Sequence, residues 1–312
     1  MVLMRLLIFI IFPLICLINN LSYSNNNVIG DNIELIQKDL IGTELTYVIK
    51  DKDTLINIAR KYGISFADIL SANGNIDPWL PKVDKKILIP KKHILPRAKR
   101  NGIVINLGDL RIYFFDRDKF IESYPIGIGR SGWETPTGIA KVTEKKIDPY
   151  WVPPESVREE DPTLPKVVAP GEDNPLGTRA IYLSMPSYLI HGTNKPYGVG
   201  MKVSHGCIRM YPEHVEKFYD LVQIGTKVNI IDQPIKAGWD NEELYIEVHS
   251  LPKYVAEDKS INVNDRKNFY PLATEVIQRA AGVKIVHVNW DIVFKAVIEA
   301  KGIPVKILKN NE

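Results

Sequence analysis

The chain predicts a mainly β, sandwich- or barrel-like central domain, preceded by a small βααβ unit and followed by an α+β C-terminal extension. Three observations carry this. Between 101 and 232, short apolar, β-branched runs recur between glycine and proline turns, with clear helical spacing only at 212–222. Between 45 and 91, one strand pattern, two helix patterns and a second strand follow in quick succession. Between 233 and 312, a strand pattern at 244–248 is followed by helical spacing at 272–281 and 290–300. A chain of 312 residues, 45% hydrophobic, suffices for about two or three domains. Its net charge of +3 is small and scattered, which argues against a nucleic-acid partner.

At the N-terminus, Arg5 precedes an apolar run from Leu6 to Ile18, and an Asn-rich stretch follows. This reads as an export signal over 1–24, with Ser22 and Ser24 as the small residues of a cleavage site; a retained anchor is the alternative. Cys16 lies inside that run and follows Ile15, which is bulky where lipid attachment wants a small residue. Cleavage leaves Cys207 as the single cysteine. A lone cysteine in an exported chain pairs with another molecule, lies inert, or reacts.

In the βααβ unit, Thr46 to Ile49 is the first strand, and Asp53 or Thr54 caps a helix that ends at Gly63. Phe66 to Asn73 is the second helix. Lys86 to Ile89 is the closing strand, stopped by Pro90. The segment KKHILPRAKR then reads as a linker.

Within 101–232, Ile103–Leu107 and Arg111–Phe115 form strands around a Gly108-Asp109 turn, a hairpin pattern. Phe120–Pro125, Ala140–Thr143, Ala180–Leu183, Tyr188–Ile190 and Thr226–Ile231 complete the strands. Residues 144–179 are rich in proline and charge and show little periodicity, and a stretch that long inside a domain is a functional lid or disordered. A lid is favoured, because it leads directly into the strand before His191. The extension, 233–312, shows no chemistry-bearing cluster, with His249 and His287 as lone histidines.

The chemistry concentrates in YLIHGTNKPYGVGMKVSHGCIRMY, residues 188–211. A thiolate nucleophile needs a neighbouring imidazole to take its proton. For Cys207, His205 shares a face if the strand is extended, and His191 would approach from an adjacent strand. No Asp or Glu lies between Tyr188 and Tyr211, so a backbone carbonyl, with Gly192 nearest, would orient the base. Backbone N–H groups at Gly206 and Cys207 can form an oxyanion hole, and Arg209 can pair with a substrate carboxylate. A buried inert cysteine between two short strands is the bland alternative. A metal site is disfavoured, since two His and one Cys at this spacing match no closed zinc set.

Two resemblances add to this reading. YVIKDKDTLINIARKYGIS, FADILSANGNID and KILIP (45–91) resemble a LysM domain, which implies binding to peptidoglycan glycan strands without catalysis. YPIGIG, ETPTG, NPLG, HGT and SHGCIRM (101–232) resemble the YkuD-type L,D-transpeptidase family, nearest its periplasmic, LysM-bearing ErfK/YbiS-like branch. The resemblance implies a YkuD-like β-sandwich, His191 as general base and Cys207 as nucleophile. It also implies Ser204 and Gly206 as signature residues and Arg209 for substrate carboxylate recognition, with His205 and Gly192 supporting. The implied substrate is a peptidoglycan tetrapeptide stem, cleaved through a thioester with release of D-Ala and no cofactor. The acceptor is another stem (a 3→3 crosslink), a lysine of an outer-membrane protein, or water. A sortase also orders His, Cys and Arg, but lacks HGT…SHGC. A non-catalytic wall-binding protein is the alternative from another class.

Overall fold

The computed structural model describes residues 38–249 and 268–309. The export signal and cleavage site read over 1–24 lie outside the described residues. Strand β1 (Leu40–Ile41) precedes the βααβ unit, which comprises β2 (Leu45–Val48), α1 (Leu55–Tyr62), α2 (Phe66–Asn73) and β3 (Lys86–Ile89). The helix ends follow the local sequence. Thr54 Oγ1 accepts the Asn57 N–H at 3.2 Å, Ser65 Oγ accepts the Asp68 N–H at 2.9 Å, and Gly63 closes α1 at φ 65°. Asn73 ties α2 to β3, its Nδ2 donating to Leu88 O and its Oδ1 accepting the Leu88 N–H, both at 2.8 Å. In the linker, β4 (His93–Ile94) pairs antiparallel with β1, a pairing too short for sequence periodicity to announce.

The central domain contains β5 (Gly102–Asn106), β6 (Arg111–Asp116), β7 (Lys119–Pro125), β8 (Ile128–Gly129), β9 (Gly138–Ile147), α3 (Glu155–Glu160), β10 (Arg179–Leu183), β11 (Leu189–His191), β12 (Lys202–Ser204), β13 (Ile208–Arg209), α4 (Pro212–Leu221) and β14 (Lys227–Ile231). Eight of these strands form one curled mixed sheet in the order β13-β11-β10-β9-β14-β5-β6-β7, while β12 pairs with β8. The mainly β expectation holds. The 144–179 segment is folded: its first four residues extend β9, and α3 follows. Thr143-Glu-Lys-Lys carries too few apolar residues to show a strand pattern. Asn174, fully buried, fastens the segment by donating Nδ2 to Pro149 O at 2.8 Å while its Oδ1 accepts the Leu176 N–H at 2.9 Å.

One continuous apolar core runs from α1 and α2 through the sheet to α4, including Ile58, Phe66, Ile69, Ile112, Ile190 and Phe218. Each such fully buried side chain contributes roughly 2 kcal/mol. The βααβ unit is therefore docked and is not a bead on its linker. Arg60 forks onto Glu213 with two bonds of 3.0 Å, and Tyr211 Oη donates to Ile64 O at 3.4 Å. Gly200, at φ +85°, lets its backbone approach so closely that a Cβ would stand 2.6 Å from the Phe66 nitrogen.

The extension forms its own layer: β15 (Ile235–Asp240), β16 (Glu243–Val248), α5 (Tyr270–Ala281), α6 (Trp290–Glu299) and β17 (Val305–Lys306). Its three strands order as β15-β16-β17 and pack on the helices through Ile246, Ile277, Val293 and Val297. His249 is not a lone histidine. It joins a buried ionic cluster in which Glu247 Oε1 meets His249 Nε2 at 2.6 Å, His93 Nδ1 at 3.1 Å and Lys236 Nζ at 3.1 Å. Lys236 Nζ also donates to Asp109 at 2.7 Å. His93, Glu247 and His249 have metal-ligand spacing, but the Lys236 ammonium already faces the shared carboxylate oxygen.

Candidate active site

The site forms where β11 and β13 run parallel at one end of the sheet. Their register pairs Ile190 with Ile208 and His191 with Arg209, and Met210 N–H donates to His191 O at 2.9 Å. Register partners share a face, and so do residues two apart on a strand. His191 and Arg209 therefore project to one side, and Cys207, two residues before Arg209, ends the loop that leads into β13. Cys207 Sγ donates to Ser187 O at 3.5 Å. That carbonyl is presented by a residue held at φ 69°.

Hydrogen bonds pin the loop leading to Cys207. Ser204 Oγ donates to Cys207 O at 2.6 Å and accepts the Gly206 N–H at 3.2 Å. Gly206 sits at φ +99°, with Tyr188 only 2.8 Å from where a Cβ would stand. Thr135 Oγ1 donates to Gly206 O at 2.7 Å and accepts the Gly129 N–H at 3.0 Å. These bonds correct one expectation: the Gly206 N–H is turned inward to Ser204, which leaves the Cys207 N–H as the nearby donor for an oxyanion. Gly192 contributes space. Its N–H belongs to the sheet, bonded to Arg179 O at 3.1 Å, and a Cβ there would stand 3.1 Å from Val215.

Burial sets the protonation states. Burial, then the nearby Arg209 charge, push the His191 pKa down to about 3, so the ring is neutral at physiological pH. Backbone groups of Gly192, Leu176 and Pro175 oppose this shift, yet the buried Nδ1 makes no hydrogen bond among the described residues. The sequence-predicted orienting carbonyl thus approaches the ring without closing a bond. Burial raises the Cys207 thiol above its ordinary value, opposed by the Leu189 N–H and by Arg209. The resting groups are thus a neutral imidazole and a protonated thiol. Burial also lowers the pKa of Arg209, whose Nε has no hydrogen-bond partner among the described residues.

His205 does not share the face of Cys207, because the positive φ of Gly206 breaks the extended chain between them. It is held instead by the 144–179 segment. Glu160, the last residue of α3, meets His205 Nε2 at 2.9 Å, Trp133 Nε1 at 2.9 Å and the Arg130 guanidinium at 2.5 and 2.8 Å. The His205 bond, then those to Arg130 and Trp133, lower the Glu160 pKa, so the carboxylate stays ionised. Thr135 and Glu160 had no assigned role in the sequence reading. Thr135 was visible within ETPTG, but nothing in the sequence marks Glu160 among its acidic neighbours.

Comparison with known proteins agrees with this architecture. Residues 100–230 match the YkuD family, described as the L,D-transpeptidase catalytic domain, and residues 47–90 match the LysM domain. The chain is 40% identical over 234 residues to the probable L,D-transpeptidase YcfS of Escherichia coli, covering 71% of this chain and 73% of that protein. It is 39% identical over 238 residues to the probable L,D-transpeptidase ErfK/SrfK of the same organism, covering 73% and 75%. To YbiS of Escherichia coli, another probable L,D-transpeptidase, it is 37% identical over 220 residues, covering 68% and 72%. With a LysM domain packed against a curled catalytic sheet, this chain belongs to the YkuD family of L,D-transpeptidases.

Proposed function

We propose that the chain is a peptidoglycan L,D-transpeptidase that works through a Cys207 thioester, with His191 as general base. The observation that supports this reading is the register of β11 with β13, which puts neutral His191 and Arg209 on one face, with Cys207 two residues before Arg209 and within reach of its charge. His191 takes the thiol proton as sulfur attacks the carbonyl carbon of the third residue of a tetrapeptide stem. The Cys207 N–H stabilises the oxyanion, a donor aimed at charge that develops only in the transition state. Collapse breaks the peptide bond, and His191 returns its proton to the departing D-Ala amine. An acceptor amine then adds to the thioester, gives a proton to His191 and expels the thiolate.

Arg209 holds a stem carboxylate by a charge-assisted bond, and the LysM domain keeps the enzyme on the wall. Ser204, Thr135 and Gly206 shape the cysteine loop. The acceptor is a side-chain amine of a second stem or a lysine of an outer-membrane protein, and water gives carboxypeptidase activity through the same thioester. The place of action is the periplasm, reached by the 1–24 export signal. Among the described residues, no helix is long and apolar enough to cross a membrane.

The test is D-Ala release from tetrapeptide muropeptides by the purified chain and by Cys207→Ala. Release by the wild type and its loss in the variant support the reading; undiminished release by Cys207→Ala overturns it. Mass spectrometry after carbapenem treatment checks the nucleophile independently, since an unmodified Cys207 marks an inert thiol. Products formed with and without a lysine-bearing acceptor peptide identify the acceptor class.

A further inference from the structure

A cleft of about 650 Å3 leads away from Arg209, and its two walls come from different domains. The βααβ unit supplies Trp79, and the catalytic domain supplies Lys195, Tyr197, Val203, His205 and Arg209. Trp79 is held firmly. Its ring lies on buried Phe66 with centroids 6.1 Å apart, and Asp77 Oδ1 accepts the N–H groups of Trp79 and Leu80 at 2.8 and 2.9 Å. Even so, Trp79 remains 61% exposed, and Tyr197, on the short turn Pro196–Gly198, remains 55% exposed. Two exposed aromatic residues, one from each wall, thus line the same cleft. Lys195 and Arg209 bring positive charge to it, and the buried Arg209 Nε has no hydrogen-bond partner among the described residues.

These features select one kind of ligand. Aromatic faces take the C–H face of a pyranose ring, where apolar contact and ring electrostatics both favour binding. The cations take carboxylates. A sugar-linked acidic peptide carries both groups on one molecule. The walls also keep a set separation, because the Arg60–Glu213 fork and the shared core hold the βααβ unit in place. A ligand touching both walls is positioned without the entropic cost of gathering a tethered module.

Resting on the transpeptidase reading, we propose that this interdomain cleft seats the donor muropeptide as a single ligand. A glycan sugar lies against Trp79 and Tyr197, the stem carboxylate sits on Arg209, and the scissile carbonyl reaches Cys207. The LysM domain is then a wall of the catalytic cleft, and Trp79 is a substrate-positioning residue.

Calorimetry on full-chain Cys207→Ala, which binds without turnover, tests this with disaccharide-tetrapeptide and with sugar-free tetrapeptide. The sugar-bearing ligand should bind at least ~10-fold tighter, about 1.4 kcal/mol, at one site. Trp79→Ala and Tyr197→Ala should each remove most of that advantage, Trp79→Phe should keep much of it, and Leu80→Ala should leave it intact. The proposal is overturned if the sugar adds no affinity or if its advantage survives both alanine variants. It is equally overturned if the advantage depends on Trp79 alone, since the sugar is then held on the βααβ wall only. Wild-type D-Ala release is read separately: its absence alongside intact sugar-dependent binding sinks the transpeptidase reading and leaves the cleft assignment standing.

Discussion

His191 and Arg209 are register partners across the parallel strands β11 and β13, so a neutral imidazole and a half-buried guanidinium share one face beside Cys207. The cation favours the thiolate and so eases loss of the thiol proton, while it keeps the ring neutral and opposes the imidazolium that proton transfer to His191 creates.

His191→Gln should lower kcat for D-Ala release by about 10²–10⁴-fold, the ordinary contribution of a positioned general base. The same residue governs acid stability. Its folded pKa, about 3, lies below the unfolded value of 6.5, so its contribution is full above 6.5 and is lost as pH falls toward 3. At pH 4 that loss is about 3 kcal/mol. Thermal melts of the wild type should therefore fall between pH 7 and 4, and His191→Gln should fall less steeply.

The Cys207 thiol titrates above the ordinary cysteine range because of burial. In the substrate-free enzyme, iodoacetamide alkylation should accelerate with pH and show no plateau by about pH 8.5, the unperturbed value. Arg209→Met removes the cation that favours the thiolate and should slow alkylation at any given pH in that range. A plateau near neutrality would mean a preformed thiolate and contradict the resting arrangement.

Glu160→Gln keeps the shape of the carboxylate and removes its charge. The bonds to Arg130 and His205 are charge-assisted and should weaken, releasing α3. Limited proteolysis within 148–173 should speed up several-fold, and kcat/KM should fall by a similar factor. Unchanged proteolysis would show that Asn174 and the Trp151–Val168 bridge hold the segment unaided.

Two ion pairs that join the domains should differ widely in what truncation costs. Lys236, 2% exposed, neutralises Asp109 and Glu247, so Lys236→Met leaves buried negative charge and should cost about 3–5 kcal/mol in urea denaturation. Arg60 and Glu213 are each roughly two-fifths exposed, and Arg60→Ala should cost at most about 1 kcal/mol.

Much of the fold was legible where local chemistry decides it. Thr54, Ser65 and Gly63 cap the helices of the βααβ unit because side-chain oxygens and a left-handed glycine satisfy end groups within a few residues. The hairpin of β5 and β6 and the helix α4 follow from apolar runs long enough to show a period. Elements of two or three residues, such as β4, β8, β12, β13 and β17, carry no period and appear only through their partners. The later half of β9 was hidden by charge, and β15 by its mixed composition, KAGWD after Ile235.

By itself, the sequence determined the local chemistry of this protein: a lone cysteine in the described chain, histidine and arginine nearby in one motif, and the βααβ unit that precedes them. The tertiary structure alone decided which groups meet. His191 and Arg209 share a face because two short strands pair in one particular register, and no local rule sets that register. His205 turns to Glu160 because one glycine takes a positive φ. The βααβ unit shares a cleft with Arg209 and its neighbours because the apolar surfaces merge into one core, a matter of long-range packing.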